Sequence, residues 1–372
     1  MDKFHTPVTI YEFPDVKSFA DDFEIGKGDV LLTHRFLAAS YMEPLGLGCS
    51  YIFYEDYETG EPSENAVDAM RKALREAECK RLVAIGGGSI LDAAKMLSIK
   101  ADSTADIFAE TVPLERGLPL VLVSTTCGTG SETSNIAVIH MNSAGCKMGK
   151  SGPAFFGDAS VIIPQLLENL PYDIFMFSAL DALIHGIEVY LSPNAHAFSN
   201  VYSAEAVRLI VRGFKHMRLN GRDARKENLL SFARASSYAG IGLSHNPCGA
   251  IHACAMVFGG MHHTAHGMTN AIFMHSILKY YAQAKPDGTI KDLTKIICEE
   301  LGIQLDAAGT IGALNGLITE LNPPQPLSKF GMKRADAPEY AKKVMETQQR
   351  LIANSYVNIS AEELKKVFEE LF

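Results

Sequence analysis

The chain has 372 residues, and at about 150 residues per domain this length suggests two domains. Hydrophobic residues make up 47% of the chain and charged residues 21%, a composition that excludes a largely disordered protein. The net charge of −9 disfavours nucleic acids and anionic membranes as partners, because binding to either requires clustered Lys and Arg.

Short apolar segments alternate with helical patterns in the first half of the chain. The segments that predict buried strands are residues 29–33, 50–54, 81–85 and 118–123. Residues 63–78 instead carry apolar side chains every three or four positions, which predicts a helix with one buried face. Strands that alternate with helices indicate βαβ units and a parallel sheet.

The pattern changes after Pro164, where strand-like segments become scarce. Long stretches with helical spacing cover residues 199–211, 227–241, 268–284 and 336–354. A last helix is predicted to follow Ser360, because Ser360 and Glu363 have the spacing of a capping box. The second half is therefore predicted to be mainly helical, with a domain boundary near the proline breaks at residues 164–172.

Two loops rich in glycine and hydroxyl groups follow predicted strands. Gly86-Gly87-Gly88-Ser89 precedes a helical segment, and the free N–H groups of a helix start favour a phosphate group. Residues 124–132 (STTCGTGSE) add further N–H and O–H groups at the same edge of the sheet, where open α/β sheets bind their ligands. Together the loops predict a nucleotide site, although the first loop alone is also compatible with a tight turn that binds nothing.

One aspartate and several histidines form a second candidate site. Asp181 and His185 are four residues apart in a helical pattern, so their side chains share one face. Residues 245–266 contain five of the 12 histidines, among them His252, in an apolar helical run, and His266. One carboxylate with three imidazoles suits Fe²⁺ or Zn²⁺ and leaves a coordination position for substrate. The alternatives are a solvated helix pair for the first two residues and a hydrogen-bonded core histidine for His252.

Four segments in chain order, GGGSILDAAK, STTCGTGSE, DALIHGIE and GxxHxxxxxxGGxxxxxHG, resemble the iron-containing alcohol dehydrogenase family over nearly the whole chain. The resemblance implies an α/β N-terminal dinucleotide-binding domain, residues 1–165, and an all-α C-terminal domain for metal and substrate, residues 166–372. This is the fold that the family shares with dehydroquinate synthase. It further implies a metal-dependent, NAD(P)H-linked oxidoreductase that interconverts a short aldehyde with an anionic tail and its alcohol. Succinate semialdehyde and 4-hydroxybutyrate are the preferred pair, and sulfoacetaldehyde with isethionate is the alternative.

The same resemblance implies roles for individual residues and partners. The implied metal ligands are Asp181, His185, His252 and His266. The implied cofactor-binding residues are Gly87, Gly88 and Ser89 for the pyrophosphate, Thr125, Thr126 and Thr129 for the ribose and nicotinamide, and Lys147. The implied cofactors are NAD, with NADP not excluded, and one divalent metal, Fe²⁺ or Zn²⁺. A small-molecule substrate and assembly into a homo-oligomer are also implied.

Two departures from the family pattern bear on the chemistry. Many members have a histidine at the position of Met256, and methionine carries no proton. The proton would then come through His263, which is the candidate, or from a ribose hydroxyl or water. NAD-specific members often have an Asp after the strand at residues 29–33, where this chain has His34 and Arg35. An arginine at this place can accept a 2′-phosphate, which keeps NADP open. We also expect a Lys or Arg of the helical half to bind the anionic substrate tail.

Two other functions remain open at this point. A lyase of the dehydroquinate synthase type would bind NAD and a metal but return the cofactor unchanged. A non-catalytic nucleotide-binding regulator would keep the fold and lose metal ligands, whereas all four ligand positions are filled here.

The cysteines and the N-terminal residues predict a cytoplasmic protein. The seven cysteines are scattered and contain no CxxC pair, which predicts reduced thiols rather than a disulfide framework. The first residues contain an early Asp and a Pro instead of an apolar stretch, so we expect no signal peptide. Cys254 lies two residues after His252, and the two side chains are predicted to face different sides of one helix.

Overall fold

A computed structural model describes residues 4–372, which divide into two compact units. The first unit comprises His5–Leu170 and combines strands with helices. The second comprises Pro171–Phe372 together with Phe4 and consists of helices. The predicted fold class, an α/β domain followed by an all-α domain, is confirmed.

A six-stranded parallel sheet forms the centre of the first unit. Its strands are β1 (Thr9–Glu12), β2 (Asp29–Thr33), β3 (Ser50–Phe53), β4 (Arg81–Gly86), β5 (Leu120–Ser124) and β8 (Ala159–Ile162), in the order β1-β8-β5-β4-β2-β3. A separate antiparallel hairpin consists of β6 (Ile136–Met141) and β7 (Cys146–Ser151). The helices of this unit are α1 (Val16–Asp22), α2 (Arg35–Leu37), α3 (Glu64–Glu76), α4 (Gly88–Ser98) and α5 (Thr104–Phe108).

The register of the central strands brings their carboxyl ends to one edge. β2, β4 and β5 are buried along nearly their whole length, which fits central strands of a parallel sheet covered on both faces. Thr33 pairs with Ile85, and Gly86 pairs with Ser124. The chain moves outward from β2 to β3 and returns to the other side of β2 at β4, so the strand order reverses there. Open α/β sheets bind ligands outside the carboxyl ends of the strands at such a reversal.

The second unit is a bundle of helices around one apolar helix. Its helices are α6 (Tyr172–Leu191), α7 (Ala197–Asn220), α8 (Leu229–Leu243), α9 (Ala250–His262), α10 (His266–Ala284), α11 (Thr289–Leu301), α12 (Ala307–Leu321), α13 (Ala337–Thr347), α14 (Gln349–Ala353) and α15 (Ala361–Glu370). α6 packs against α7, α8 and α10. Within residues 4–372, α6 is the one helix long and apolar enough to cross a membrane, but 78% of its most apolar window is buried, as in a core helix.

Candidate metal centre and dinucleotide-binding loops

Three buried ionisable residues lie in the largely apolar sequence of α6, all on one face of the helix. Asp181, His185 and Glu188 are spaced by four and three residues, and each is at most 5% exposed. Ionisable groups inside an apolar bundle are unfavourable unless other groups compensate their charge. The neighbouring helices must therefore supply partners to this face of α6.

The start of α10 approaches α6 closely because residue 267 has no side chain. A Cβ atom at Gly267 would lie 2.1 Å from the carbonyl oxygen of Phe177 in α6. This close approach brings His266, the first residue of α10, to Asp181, with 3.8 Å between His266 Nε2 and Asp181 Oδ1. Asn270 lies one turn further along α10 and faces the same carboxylate.

Glu188 fixes the start of α9 and the imidazole of His252. Its Oε1 accepts a hydrogen bond from the Ile251 N–H at 2.7 Å, and its Oε2 lies 2.6 Å from His252 Nδ1. Because a carboxylate only accepts, Nδ1 carries a proton in this bond, and Nε2 is the nitrogen turned to Asp181 Oδ1, 3.7 Å away. A histidine whose other nitrogen donates to a carboxylate is typical of metal sites.

The four side chains that the resemblance implies as ligands lie together. Asp181 Oδ2 is 3.9 Å from His185 Nδ1, a buried nitrogen with no hydrogen-bond partner within residues 4–372. The rings of His185 and His252 stack with their centroids 4.7 Å apart. Atoms each about 2.1 Å from one ion are separated by about 3.4 Å in a tetrahedral site, so small side-chain movements adapt this group to a cation.

The charges of this cluster favour an ionised Asp181. Burial alone would raise the pKa of Asp181, but the imidazoles of His185, His266 and His252 outweigh burial and hold that pKa well below its ordinary value. The side chain of His266 is 40% exposed, whereas those of Asp181, His185 and His252 are at most 7% exposed. Asp181 therefore carries a negative charge, and solvent reaches the cluster from the side of His266.

Asn270 occupies the middle of this cluster and was not predicted from the sequence as a site residue. Its Nδ2 lies 2.7 Å from Asp181 Oδ1, 3.0 Å from His252 Nε2 and 3.2 Å from His266 Nε2. An amide has only two hydrogens for these three acceptors, and Asn270 Oδ1 is buried with no hydrogen-bond partner in the described part of the chain. A divalent cation would attract all three acceptors, and one carboxylate with imidazoles is a donor set for Fe²⁺ or Zn²⁺. The residues present therefore fit the metal that the resemblance implies.

In the first unit, the two glycine- and hydroxyl-rich loops touch each other. A Cβ atom at Gly88 would lie 2.7 Å from Thr129 Cγ2, and one at Gly87 would lie 3.3 Å from Thr126 Cγ2. The hydroxyl oxygen of Thr126 is buried and lacks a hydrogen-bond partner among the described residues. The N–H groups of Gly88 and Ser89, the first two residues of α4, have no acceptor within the helix and attract an anion. This edge of the sheet therefore fits a dinucleotide pyrophosphate.

A buried ion pair of α4 holds the second loop in place. Lys95 Nζ donates to Ser131 Oγ at 2.8 Å and to Ser134 Oγ at 3.0 Å, and Ser131 Oγ donates to Asp92 Oδ1 at 2.6 Å. Burial lowers the pKa of Lys95 to about 8. These contacts fix the position of the loop relative to α4.

The remaining predicted site residues lie in different parts of the two units. The N–H of Thr125 donates to the carbonyl oxygen of Gly86 at 3.0 Å, and Ser89 is in the first turn of α4. Lys147 lies on β7 and pairs with Glu61 at 2.6 Å. His263 ends α9 with a left-handed backbone, φ 51°, and its side chain is exposed.

The chain belongs to the iron-containing alcohol dehydrogenase family. Residues 14–164 match the iron-containing alcohol dehydrogenase domain, and residues 175–372 match the C-terminal domain of the Fe-containing alcohol dehydrogenase family. The predicted family and enzyme class, a metal-dependent alcohol dehydrogenase, are confirmed.

Individual relatives cover the chain over nearly its full length. It is 36% identical over 364 residues to 4-hydroxybutyrate dehydrogenase of Clostridium kluyveri, with 98% of each chain covered. It is 28% identical over 369 residues to long-chain-alcohol dehydrogenase 1 of Geobacillus thermodenitrificans, covering 96% of this chain and 92% of the relative. A solved structure of sulfoacetaldehyde reductase from Bifidobacterium kashiwanohense in complex with NAD⁺ has a TM-score of 0.85 at 21% identity, covering 100% of this chain and 98% of the other.

The contact between Glu188 and His252 predicts the effect of substituting the carboxylate. In Glu188→Gln the acceptor that orients His252 loses its charge, and we expect the affinity for Zn²⁺ to fall about 10- to 100-fold. Titration against a competing chelator measures this change. The matched control is Asp173→Asn, an exposed carboxylate on the same helix, which should leave the affinity unchanged. If Glu188→Gln and the unsubstituted protein had equal affinity for Zn²⁺, the carboxylate of Glu188 would not contribute to metal binding.

Proposed function

We propose that this chain reduces succinate semialdehyde to 4-hydroxybutyrate reversibly, with NADH and one divalent metal, Fe²⁺ or Zn²⁺. The observation that carries the proposal is the group formed by the buried Asp181, His185 and His252 with the exposed His266. The 36% identity to 4-hydroxybutyrate dehydrogenase supports the choice of substrate. Sulfoacetaldehyde is the alternative substrate, because it is also a short aldehyde with an anionic tail.

The two bound groups and the residues of the chain have separate tasks in this reaction. A divalent cation held by Asp181 and the three histidines would supply a Lewis acid for the carbonyl oxygen, and bound NADH would supply the hydride. Asp181 stays ionised and offsets part of the positive charge, while Glu188 holds His252 in the orientation for binding. The exposed side of His266 admits the aldehyde.

The residues that follow β2 and β3 support NAD rather than NADP. Arg35 Nη2 donates to Asp56 Oδ1 at 2.6 Å, and its guanidinium lies 4.2 Å from the ring centroid of Phe53. Its positive charge is therefore already compensated. Glu55 accepts a hydrogen bond from the Arg35 N–H at 2.7 Å. Partial burial alone would raise the pKa of Glu55. The hydrogen bond from Arg35 and the contact with His34 outweigh it and lower this pKa.

The carboxylates of Glu55 and Asp56 can replace the aspartate that the family pattern places after β2 as acceptors for the adenine ribose. An ionised carboxylate at this edge of the sheet accepts a hydrogen bond from a ribose hydroxyl and repels a 2′-phosphate. Glu55, on the neighbouring strand end, is the residue that we assign to the adenine ribose of NAD.

The proposal also includes a cytoplasmic location and a homo-oligomeric assembly. All seven cysteines are free, which fits a reducing compartment.

A substrate panel tests the proposed reaction. We expect kcat/KM for succinate semialdehyde with NADH to exceed that for uncharged butanal by about tenfold or more, because a charge-assisted hydrogen bond to the tail is lost in butanal. We also expect this kcat/KM to exceed that for sulfoacetaldehyde with NADH and that for succinate semialdehyde with NADPH. Loss of NADH absorbance measures the rate, and treatment with a chelator should abolish activity until Fe²⁺ or Zn²⁺ is added.

Three outcomes of this panel would contradict the proposal. If the rate with sulfoacetaldehyde exceeded that with succinate semialdehyde, sulfoacetaldehyde would be the preferred substrate. Conversion of a substrate with no net consumption of NADH would indicate a lyase that returns its cofactor. No turnover of any aldehyde by the metal-loaded protein would exclude the proposed chemistry altogether.

Substitution of His263 tests its proposed role as proton donor. Asn adopts the left-handed backbone of this position more readily than most residues, so His263→Asn removes the imidazole with little strain. We expect kcat for aldehyde reduction to fall about 100-fold and the pH profile to lose one limb. The control is His216→Asn, a histidine of α7 that pairs with Glu227, which should change neither quantity. An unchanged pH profile in His263→Asn would assign proton delivery to a ribose hydroxyl or water.

A further inference from the structure

A second group of potential ligand atoms overlaps the metal centre. The sulfur of Cys248 and one nitrogen each of His185 and His252 lie within 4.8 Å of one another, and all three side chains are buried. The atoms of Asp181, His252 and His266 form another group within the same distance. The two groups share His252, and His185 of the second group is one of the four family ligands, so the thiol lies beside the metal centre.

The backbone around Cys248 is held by the C-terminal part of the unit. Asn354, which follows α14, donates through Nδ2 to the carbonyl oxygen of Cys248 at 3.3 Å and also to that of Pro247. Gly249, the next residue, is the N-cap of α9. The thiol is therefore fixed just before the helix that carries His252, and the residue as a whole is only 5% exposed.

We infer that Cys248 is an additional ligand of the metal centre, binding a thiophilic divalent cation such as Zn²⁺ or Co²⁺ together with His185 and His252. The inference rests on the proposed function only in that both require a cation at this centre. On binding, the S–H bond breaks, the sulfur donates its electron pair to the cation, and one proton is released to solvent.

The two sides of the centre differ in chemical softness. Asp181 supplies a hard oxygen ligand, which suits Fe²⁺, whereas a thiolate favours softer ions. The chain can therefore bind Fe²⁺ mainly through the carboxylate and imidazole side, and Zn²⁺ with sulfur in the coordination sphere. Cys248 would then determine which metal the protein retains when both are present.

Optical spectroscopy of the Co²⁺-loaded full chain tests this inference without any assay of activity. Co²⁺ bound by nitrogen and oxygen ligands gives ligand-field bands in the visible range, and a thiolate ligand adds an intense charge-transfer band in the near ultraviolet. We expect both features in the unsubstituted protein. In Cys248→Ser the charge-transfer band should disappear while the visible bands remain, and the Zn²⁺ affinity should fall by at least about tenfold.

The matched control is Cys254→Ser, which removes a buried thiol of α9 that lies two residues from His252. This variant should keep the charge-transfer band. Visible bands without a charge-transfer band in the unsubstituted protein would overturn the inference and leave the proposed function intact. A charge-transfer band that persists in Cys248→Ser would also overturn it. Absence of every cobalt band would show that no cation binds and would contradict the proposed function as well.

If Cys248→Ser does not fold, the spectrum of the unsubstituted protein still tests the inference, because the absence of a charge-transfer band overturns it. In that case Cys248→Ala, which introduces no hydroxyl group into the buried position, provides the same comparison. Loss of the charge-transfer band in Cys248→Ala supports the inference, and its persistence overturns it.

Discussion

The helical unit depends on the negative charge of Asp181 inside an apolar bundle. A buried carboxylate costs several kcal/mol unless other groups compensate its charge. Two segments roughly 70 and 85 residues further along the chain bring His252 and His266 to this carboxylate. Gly267 allows α10 to approach α6, and Glu188 fixes the orientation of His252. A cation at this place satisfies the carboxylate and the imidazoles together, which explains why so many polar groups occupy one position of an apolar core.

Much of the fold could be predicted from local patterns, and the failures have physical causes. The strand at residues 29–33 has the predicted bounds, because a run of buried apolar residues is a strong local signal. The capping box at Ser360 likewise begins a helix, α15. β1 and β7 were not predicted, because both are largely exposed and lack an apolar pattern. Residues 336–354 form two helices rather than one, since the backbone of Gln348 leaves the helical region and periodicity does not detect a break at a single residue.

The candidate site was predictable only where its residues belong to a recognisable local pattern. The shared helix face of Asp181 and His185 follows from their spacing, and the glycine loop before α4 follows from the strand that precedes it. Asn270 lies four residues after His266, so helical spacing places it on the same face, but its contact with Asp181 depends on how two helices pack. Cys248 precedes α9, and only tertiary structure brings its thiol to His185.

Anomalous X-ray diffraction from crystals of the Fe²⁺-loaded chain tests the central claim most directly. The account predicts one strong peak about 2.0–2.2 Å from the ligand atoms of Asp181, His252 and His266, with the amide nitrogen of Asn270 displaced from the middle of the cluster. A map with no peak at this position, and with the amide nitrogen still between the carboxylate and the imidazoles, would contradict it. The buried carboxylate would then be stabilised by hydrogen bonds alone, and the proposed redox reaction would have no electrophile.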